Sequence, residues 1–164
     1  MTMLTEEQVW KALEAVPDPE IPVISVAELG IVREVQVQGG AVRVVVTPTY
    51  SGCPATEVIG EDIRAALVRA GATTVHLEWR LAPPWTTDWI GEAASEKLRA
   101  YGIAPPGERA ASATQPLRFV SRRIACPKCG SNVTARVSEF GSTACKALYR
   151  CRACLEPFDY FKPI

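Results

Sequence analysis

The chemistry open to this 164-residue chain rests first on its six cysteines. Four of them form two knuckles, Cys126-Pro-Lys-Cys129 and Cys151-Arg-Ala-Cys154, with 21 residues between the pairs. Two Cys-x-x-Cys pairs at this separation predict a four-thiolate metal site, structural zinc first and a four-cysteine iron site second. All four positions around the ion are then filled by protein. No place is left for a metal-bound water, which argues against hydrolysis at this centre.

Cys53 stands far upstream, between Gly52 and Pro54. A proline suits the first position of a helix, where its missing N–H would be an orphan anyway. That makes Cys53 the expected N-cap of the following helix, with Gly52 leaving the sulfur uncovered. The partial positive charge and free N–H groups of a helix N-terminus favour thiolate over thiol. Such a sulfur could attack an electrophile, exchange disulfides or bind a soft metal. The alternative is a buried cysteine acting as a small hydrophobe. Asp18 and Glu20, in a proline-rich turn, are candidates to approach this loop with carboxylate oxygens. Thr47 and Thr49 flank it with hydroxyls. Cys145 is the sixth cysteine, next to Lys146; it is either a second sulfur for a labile cluster or a bystander packed in the tail. His76 is the single histidine and falls in mid-strand, which weakly supports a Cys–His nucleophile.

The elements that must position these residues follow from pattern. Thr5-Glu-Glu-Gln8 fits a capping box for a helix over residues 5–16, with Leu4 as a staple. Three prolines between residues 17 and 22 stop it. Residues 25–30 predict one helical turn ending at Gly30. Residues 31–38 and 41–47 predict a hairpin through Gly39-Gly40. A helix over 55–70 presents Val58, Ile59, Ile63, Ala66 and Leu67 on one face. Residues 74–81 alternate, with Val75, Leu77, Trp79 and Leu81 on one side. A last helix over about 88–101 is capped by Thr87 or Asp88. The order α-β-β-α-β-α predicts an α/β, α+β-like domain: a small mixed sheet with helices on one face, followed by a C-terminal zinc ribbon. The expected boundaries are residues 1–104 for the domain, 105–119 for an Ala/Pro/Gly/Ser-rich linker and 120–164 for the ribbon. In the ribbon, Val133, Ala135 and Val137 alternate, Gly141 turns the chain, and Pro157 to Phe161 supplies aromatic cover. So small a module needs its metal for much of its folding free energy.

With 48% hydrophobic and 22% charged residues the composition is that of a globular chain. No apolar run approaches the ~20 residues that span a bilayer. The first residues have neither the basic nor the apolar part of a secretory leader. A cytoplasmic location is expected, where paired cysteines mean metal more often than disulfide. Formal net charge is zero, yet residues 118–164 carry nine Lys/Arg against three Asp/Glu, and residues 1–117 carry nine against fifteen. Either two modules of complementary charge pack together, or the tail presents a basic face to a partner. The tail has no long basic cluster, so nucleic-acid binding is not expected.

Two stretches carry a resemblance. Residues Asp18 to Arg33 (DPEIPVISVAELGIVR) and Thr47 to Ala55 (TPTYSGCPA) are similar to the small α/β domain of SufT-like iron–sulfur assembly factors. The tail, Phe140 to Cys151 (FGSTACKALYRC), resembles the ribbon of the phenylacetate-degradation PaaD family. Together they cover nearly the whole chain. The resemblance implies an accessory role beside the multicomponent phenylacetyl-CoA epoxidase, a monooxygenase. The chain would assist maturation of that enzyme's metal or iron–sulfur centres rather than catalyse epoxidation. It implies Cys53 as a transient cluster ligand, with Asp18, Glu20, Thr47, Thr49 and Gly52 as its supporting loop. The implied partners are the oxygenase and reductase components, and a homodimer if two Cys53 sulfurs share a cluster. The competing expectation is a non-catalytic docking subunit that uses the basic ribbon.

Overall fold

The computed structural model describes residues 4–107 and 123–164. It divides into two compact units, residues 1–94 and 95–164. The first opens with α1 (Glu6–Glu14), whose capping box forms as expected: Thr5 Oγ1 accepts from Gln8 N–H, and Gln8 Oε1 accepts from Thr5 N–H. Strands β1 (Val32–Gln38) and β2 (Ala41–Val46) form the antiparallel hairpin. Gly39 and Gly40 both adopt positive φ, as a two-residue turn matched to strand twist requires. Helix α2 (Thr56–Arg69) then crosses over, and β3 (Thr74–Trp79) lies parallel to β2. The sheet order is β1-β2-β3.

Register places Val35 opposite Val44, and Val44 opposite Leu77, so one face of the sheet is apolar. Helix α1 packs on β1 and α2, and α2 packs on β3. Val9, Leu13, Ile59, Ile63 and Leu67 supply the buried helix side chains. The other face carries a polar ladder: Arg43 pairs with Glu78, and Arg80 bridges Glu78 to Glu34. Val58, expected among the buried residues of α2, is 46% exposed. It stands about 100° from Ile59 around the helix, enough to leave the buried arc.

The turn over Ser25 to Gly30 is tied by reciprocal bonds between Ser25 and Glu28 and by Leu29 N–H to Ser25 O. Gly30 is required twice over. Its φ is +77°, and a Cβ there would stand 2.7 Å from the Cβ of Trp89. Trp85 is buried and donates its indole N–H to Leu29 O, and Arg33 lies over the Trp89 ring. The segment after β3 thus clamps the turn that follows α1. Thr87 and Asp88 do not cap a long helix. Thr86 caps a 3-10 turn, Thr87–Trp89, and α3 begins only at Glu92 and runs to Tyr101.

In the second unit, β5 (Thr134–Ser138), β6 (Lys146–Cys151) and β7 (Pro157–Phe161) are antiparallel neighbours. A two-residue strand, β4 (Ile103–Ala104), runs parallel to β7. The end of the expected first domain is therefore hydrogen-bonded into the ribbon's sheet. Most of the expected linker, residues 108–119, lies outside the described residues. Gly141 makes the ribbon turn by proximity: its N–H donates to Lys146 O, and a Cβ would meet Asp159 Oδ1 at 2.7 Å. Phe158, Tyr160 and Phe161 are buried as expected, while Val133, just ahead of β5, and Val137, on that edge strand, are each 60% exposed.

Candidate metal centre and cysteine loop

Cys126, Cys129, Cys151 and Cys154 converge from the two knuckles until their sulfurs all lie within 4.8 Å of one another. Two turns build this geometry. Gly130, at φ +74°, lets its N–H close back onto Cys126 O. The second knuckle aims the N–H groups of Ala153 and Cys154 at Cys151 Sγ, at 3.4 and 3.5 Å. The Cys126–Cys154 and Cys129–Cys151 sulfur separations are 3.8 and 3.6 Å. A tetrahedron with metal–sulfur bonds of about 2.3 Å has edges of about 3.8 Å. The four donors therefore fit a tetrahedral ion held wholly by thiolates. Chiefly through the Cys154 N–H, the Cys151 thiol is pushed down to about 6. At Cys154, the Glu156 backbone N–H favours the anion, but burial and the three neighbouring sulfurs outweigh it and push the thiol up to about 12. Four sulfurs this close cannot all ionise without a cation among them.

Cys53 is placed differently from expectation. The N-cap of α2 is Ala55, not Cys53, and it makes no side-chain cap bond. Pro54 and Ala55 form a turn ahead of the helix. In it, Thr56 donates both its N–H and its hydroxyl to Cys53 O. The sulfur is not left uncovered: Cys53 is only 7% exposed. Its thiol is raised rather than lowered. Burial is the largest cause; the Ala55 N–H and the Thr49 hydroxyl oppose it, and the carboxylates of Glu20 and Asp18 add to it. The expectation of an uncovered thiolate fails because Pro54 suits a turn as well as a first helical residue.

Three of the expected supporting residues, Glu20, Asp18 and Thr49, act on this sulfur, as does Ala55. Asp18 is buried, and its Oδ1 accepts the N–H groups of Glu20 and Ile21 at 2.8 and 2.9 Å. Its carboxylate thus shapes the proline-rich turn. Thr47 is buried, with its N–H bonded to Ile31 O, and Gly52 holds φ +115°. Beside the loop lies a cavity of about 630 Å³ lined by Ser51, Gly52, Gly60, Arg64, Trp79 and Leu81, among others. Alternation alone places Trp79 and Leu81 on the same side as Val75 and Leu77. Their period-two spacing is visible in the residues; that the stripe lies at a sheet edge is not.

Cys145 belongs to the second unit. It is buried, with Sγ 3.0 Å from Thr143 Oγ1. Lys146 is also buried, and its Nζ lies 3.9 Å from Asp159 Oδ2. His76 is exposed on β3. No helix among the described residues is long and apolar enough to cross a membrane.

Comparison with known proteins agrees with this division. Residues 110–162 match the PaaD zinc beta ribbon domain, and residues 6–77 match an iron–sulfur cluster assembly protein family. An Escherichia coli (strain K12) protein named as a component of 1,2-phenylacetyl-CoA epoxidase is 50% identical over 157 residues, covering 96% of this chain and 92% of that one. An Fe-S protein maturation auxiliary factor of Porphyromonas gingivalis is 38% identical over 57% of this chain and 90% of its own length. A conserved hypothetical protein of Thermotoga maritima, of known structure, superposes with TM-score 0.53 at 32% identity, over 60% of this chain and 98% of that one.

Proposed function

The chain belongs to the PaaD family, an iron–sulfur assembly domain joined to a zinc ribbon, and on that premise we propose that it is an accessory factor of aerobic phenylacetate catabolism. It acts in the cytoplasm and is not itself the epoxidation catalyst. It helps load metal or iron–sulfur centres of a multicomponent phenylacetyl-CoA epoxidase, and its partners are the oxygenase and reductase components. The ribbon's ion is zinc, held by Cys126, Cys129, Cys151 and Cys154, and its role is structural. The chain is organised as an assembly domain, a linker and the ribbon.

Cys53 is the residue that meets the cargo. The observation that supports this is the setting of its sulfur, between the Thr49 hydroxyl and the Ala55 N–H, with the carboxylates of Glu20 and Asp18 close enough to act on it. At rest those carboxylates and the burial keep the proton on sulfur. An iron-containing cargo reverses the balance: its positive charge displaces the thiol proton to solvent, and the carboxylates then stabilise the cation. A single sulfur ligand leaves the remaining ligand positions to the donor or the recipient. Hand-off is ligand exchange, in which a recipient thiolate replaces Cys53 and the Cys53 thiol regains a proton.

The test is to prepare the chain without oxygen, reconstitute it with iron and sulfide, and count zinc, iron and acid-labile sulfide per protomer. About one zinc is expected, plus iron and sulfide that disappear in Cys53→Ser. Oxygenase components that are fully loaded and active in cells lacking the chain would sink the maturation role. A second reading, a docking subunit that uses the basic ribbon, draws support from the burial of Cys53. Full phenylacetate oxidation by a Cys53→Ser strain would select it.

A further inference from the structure

The outer edge of β3 is open. The sheet order ends there, and no strand among the described residues pairs with it. The Arg80 N–H donates inward to Val46 O at 2.9 Å. By alternation, the even-numbered residues of β3 direct their backbone groups to β2, and Val75, Leu77 and Trp79 direct theirs outward. Their side chains lie on the helix-covered face but stay half-covered; Trp79 is 38% exposed and Leu81 60%. Above them α2 comes close through Gly60, where a Cβ would stand 3.5 Å from Trp79 Cζ2. On the outer side of α2, Glu57, Glu61 and Arg64 are exposed and line the cavity that reaches the cysteine loop.

We propose that this edge receives an extended segment of a client protein as a fourth strand. Backbone bonds to Val75, Leu77 and Trp79 would hold it, alternate apolar side chains would fill the cavity beside Gly60, and a basic side chain would face Glu57 and Glu61. The occupant is a lone strand for a steric reason. Neighbouring strands lie about 4.8 Å apart, whereas packed helices need about 8–10 Å. Because α2 rides directly over β3, a second copy paired edge to edge would drive its own α2 into this one. A tail or loop with no helix above it meets no such conflict. The same cavity is lined by Ser51 and Gly52, so a segment running along β3 brings one of its ends to the Cys53 loop. The inference rests on the loading role proposed above and names how the recipient is recognised.

The experiment uses labelled 15-residue peptides tiled across the epoxidase oxygenase and reductase components, with binding to the full chain read by fluorescence polarisation. At least one peptide is expected to bind. Val75→Pro removes an outward N–H that the sheet does not use, and Glu61→Lys reverses an exposed charge. Each should weaken that peptide about tenfold or more. No binding at about 100 μM, or binding indifferent to both variants, overturns the proposal. So does a dimer whose mass halves in Val75→Pro, because the occupant is then a second copy. Peptide binding that persists while iron and sulfide counts stay at zero would retire the loading role and keep the docking edge.

Discussion

Cys151 and Cys53 are both buried thiols in one chain, and their surroundings drive them in opposite directions. Around Cys151, two backbone N–H groups converge and three more sulfurs stand within metal-ligating distance. Around Cys53, one backbone N–H and one hydroxyl are outweighed by burial and two carboxylates. The first site is arranged for a resident cation, and the second holds a proton until something displaces it. The contrast extends to the units that carry them. The first unit buries aliphatic side chains from α1, α2 and a three-stranded sheet. The second has a small cluster (Ala104, Ile124, Ala147, Phe158 and Tyr160) that includes two of the ligating cysteines themselves. One unit has a core of its own, and the other has a core organised around its metal.

The largest effect should come from attacking the metal. Chelation, or Cys151→Ser, should abolish hydrogen-exchange protection across β5 to β7 while residues 6–79 keep theirs. In zinc-finger peptides the structural ion carries roughly 10–16 kcal/mol of apparent binding free energy, and a metal held by these four thiolates should contribute to folding in the same way. Lowering pH should act in the same direction, because thiolates lose the ion as they take up protons. A ribbon that stays protected without metal would erase the distinction between the two units.

Next in size is a substitution at the clamp of the first unit. Gly30→Ala places a methyl group 2.7 Å from Trp89 Cβ in a backbone with φ +77°, and the loss should be roughly 2–4 kcal/mol in urea unfolding. The metal content of the ribbon should remain unchanged. Gly52→Ala is a useful companion, since a Cβ there would meet nothing within 4 Å and only backbone strain is at issue.

The two sulfur settings can be compared directly by alkylation. Between pH 6 and 8, iodoacetamide should modify Cys53 in the folded chain at least about tenfold more slowly than a cysteine in a short peptide. The folded thiol binds its proton more tightly than the unfolded one. Its burial therefore contributes stability below the ordinary thiol range, and that contribution is lost as pH rises through the folded value. Thr49→Val removes a donor to the sulfur and should slow the reaction further. Rapid modification at pH 7 would show the loop to be open and restore the activated-thiolate expectation.

Much of this contrast was legible in the residues. The knuckle spacing places all four ribbon ligands, because two tight turns and a hairpin are local devices. The capping box, Gly39-Gly40 and the crossover helix are local in the same sense. The raised Cys53 thiol was not legible, since its largest cause is burial, to which carboxylates more than thirty residues away add. Nor was β4, where two residues become a strand only because β7 is beside them. The Trp85 bond to Leu29 spans 56 residues, and no periodicity announces it.

The smallest predicted effect probes the other end of the comparison. Thr5→Ala removes the hydroxyl that accepts from Gln8 N–H and leaves that donor to water. The partner bond, Gln8 Oε1 to the Thr5 N–H, can persist. Caps of this kind contribute about 1 kcal/mol. Val9 and Leu13 keep α1 seated whether or not its first turn frays, so the unfolding transition should move to slightly lower denaturant with an unchanged slope. Graded loss of this kind is what a unit with many independent contributions should show, and the ribbon should show none of it, passing from folded to unfolded with its single ion. A cooperative collapse of the first unit in Thr5→Ala would mean that α1 is the keystone of that unit.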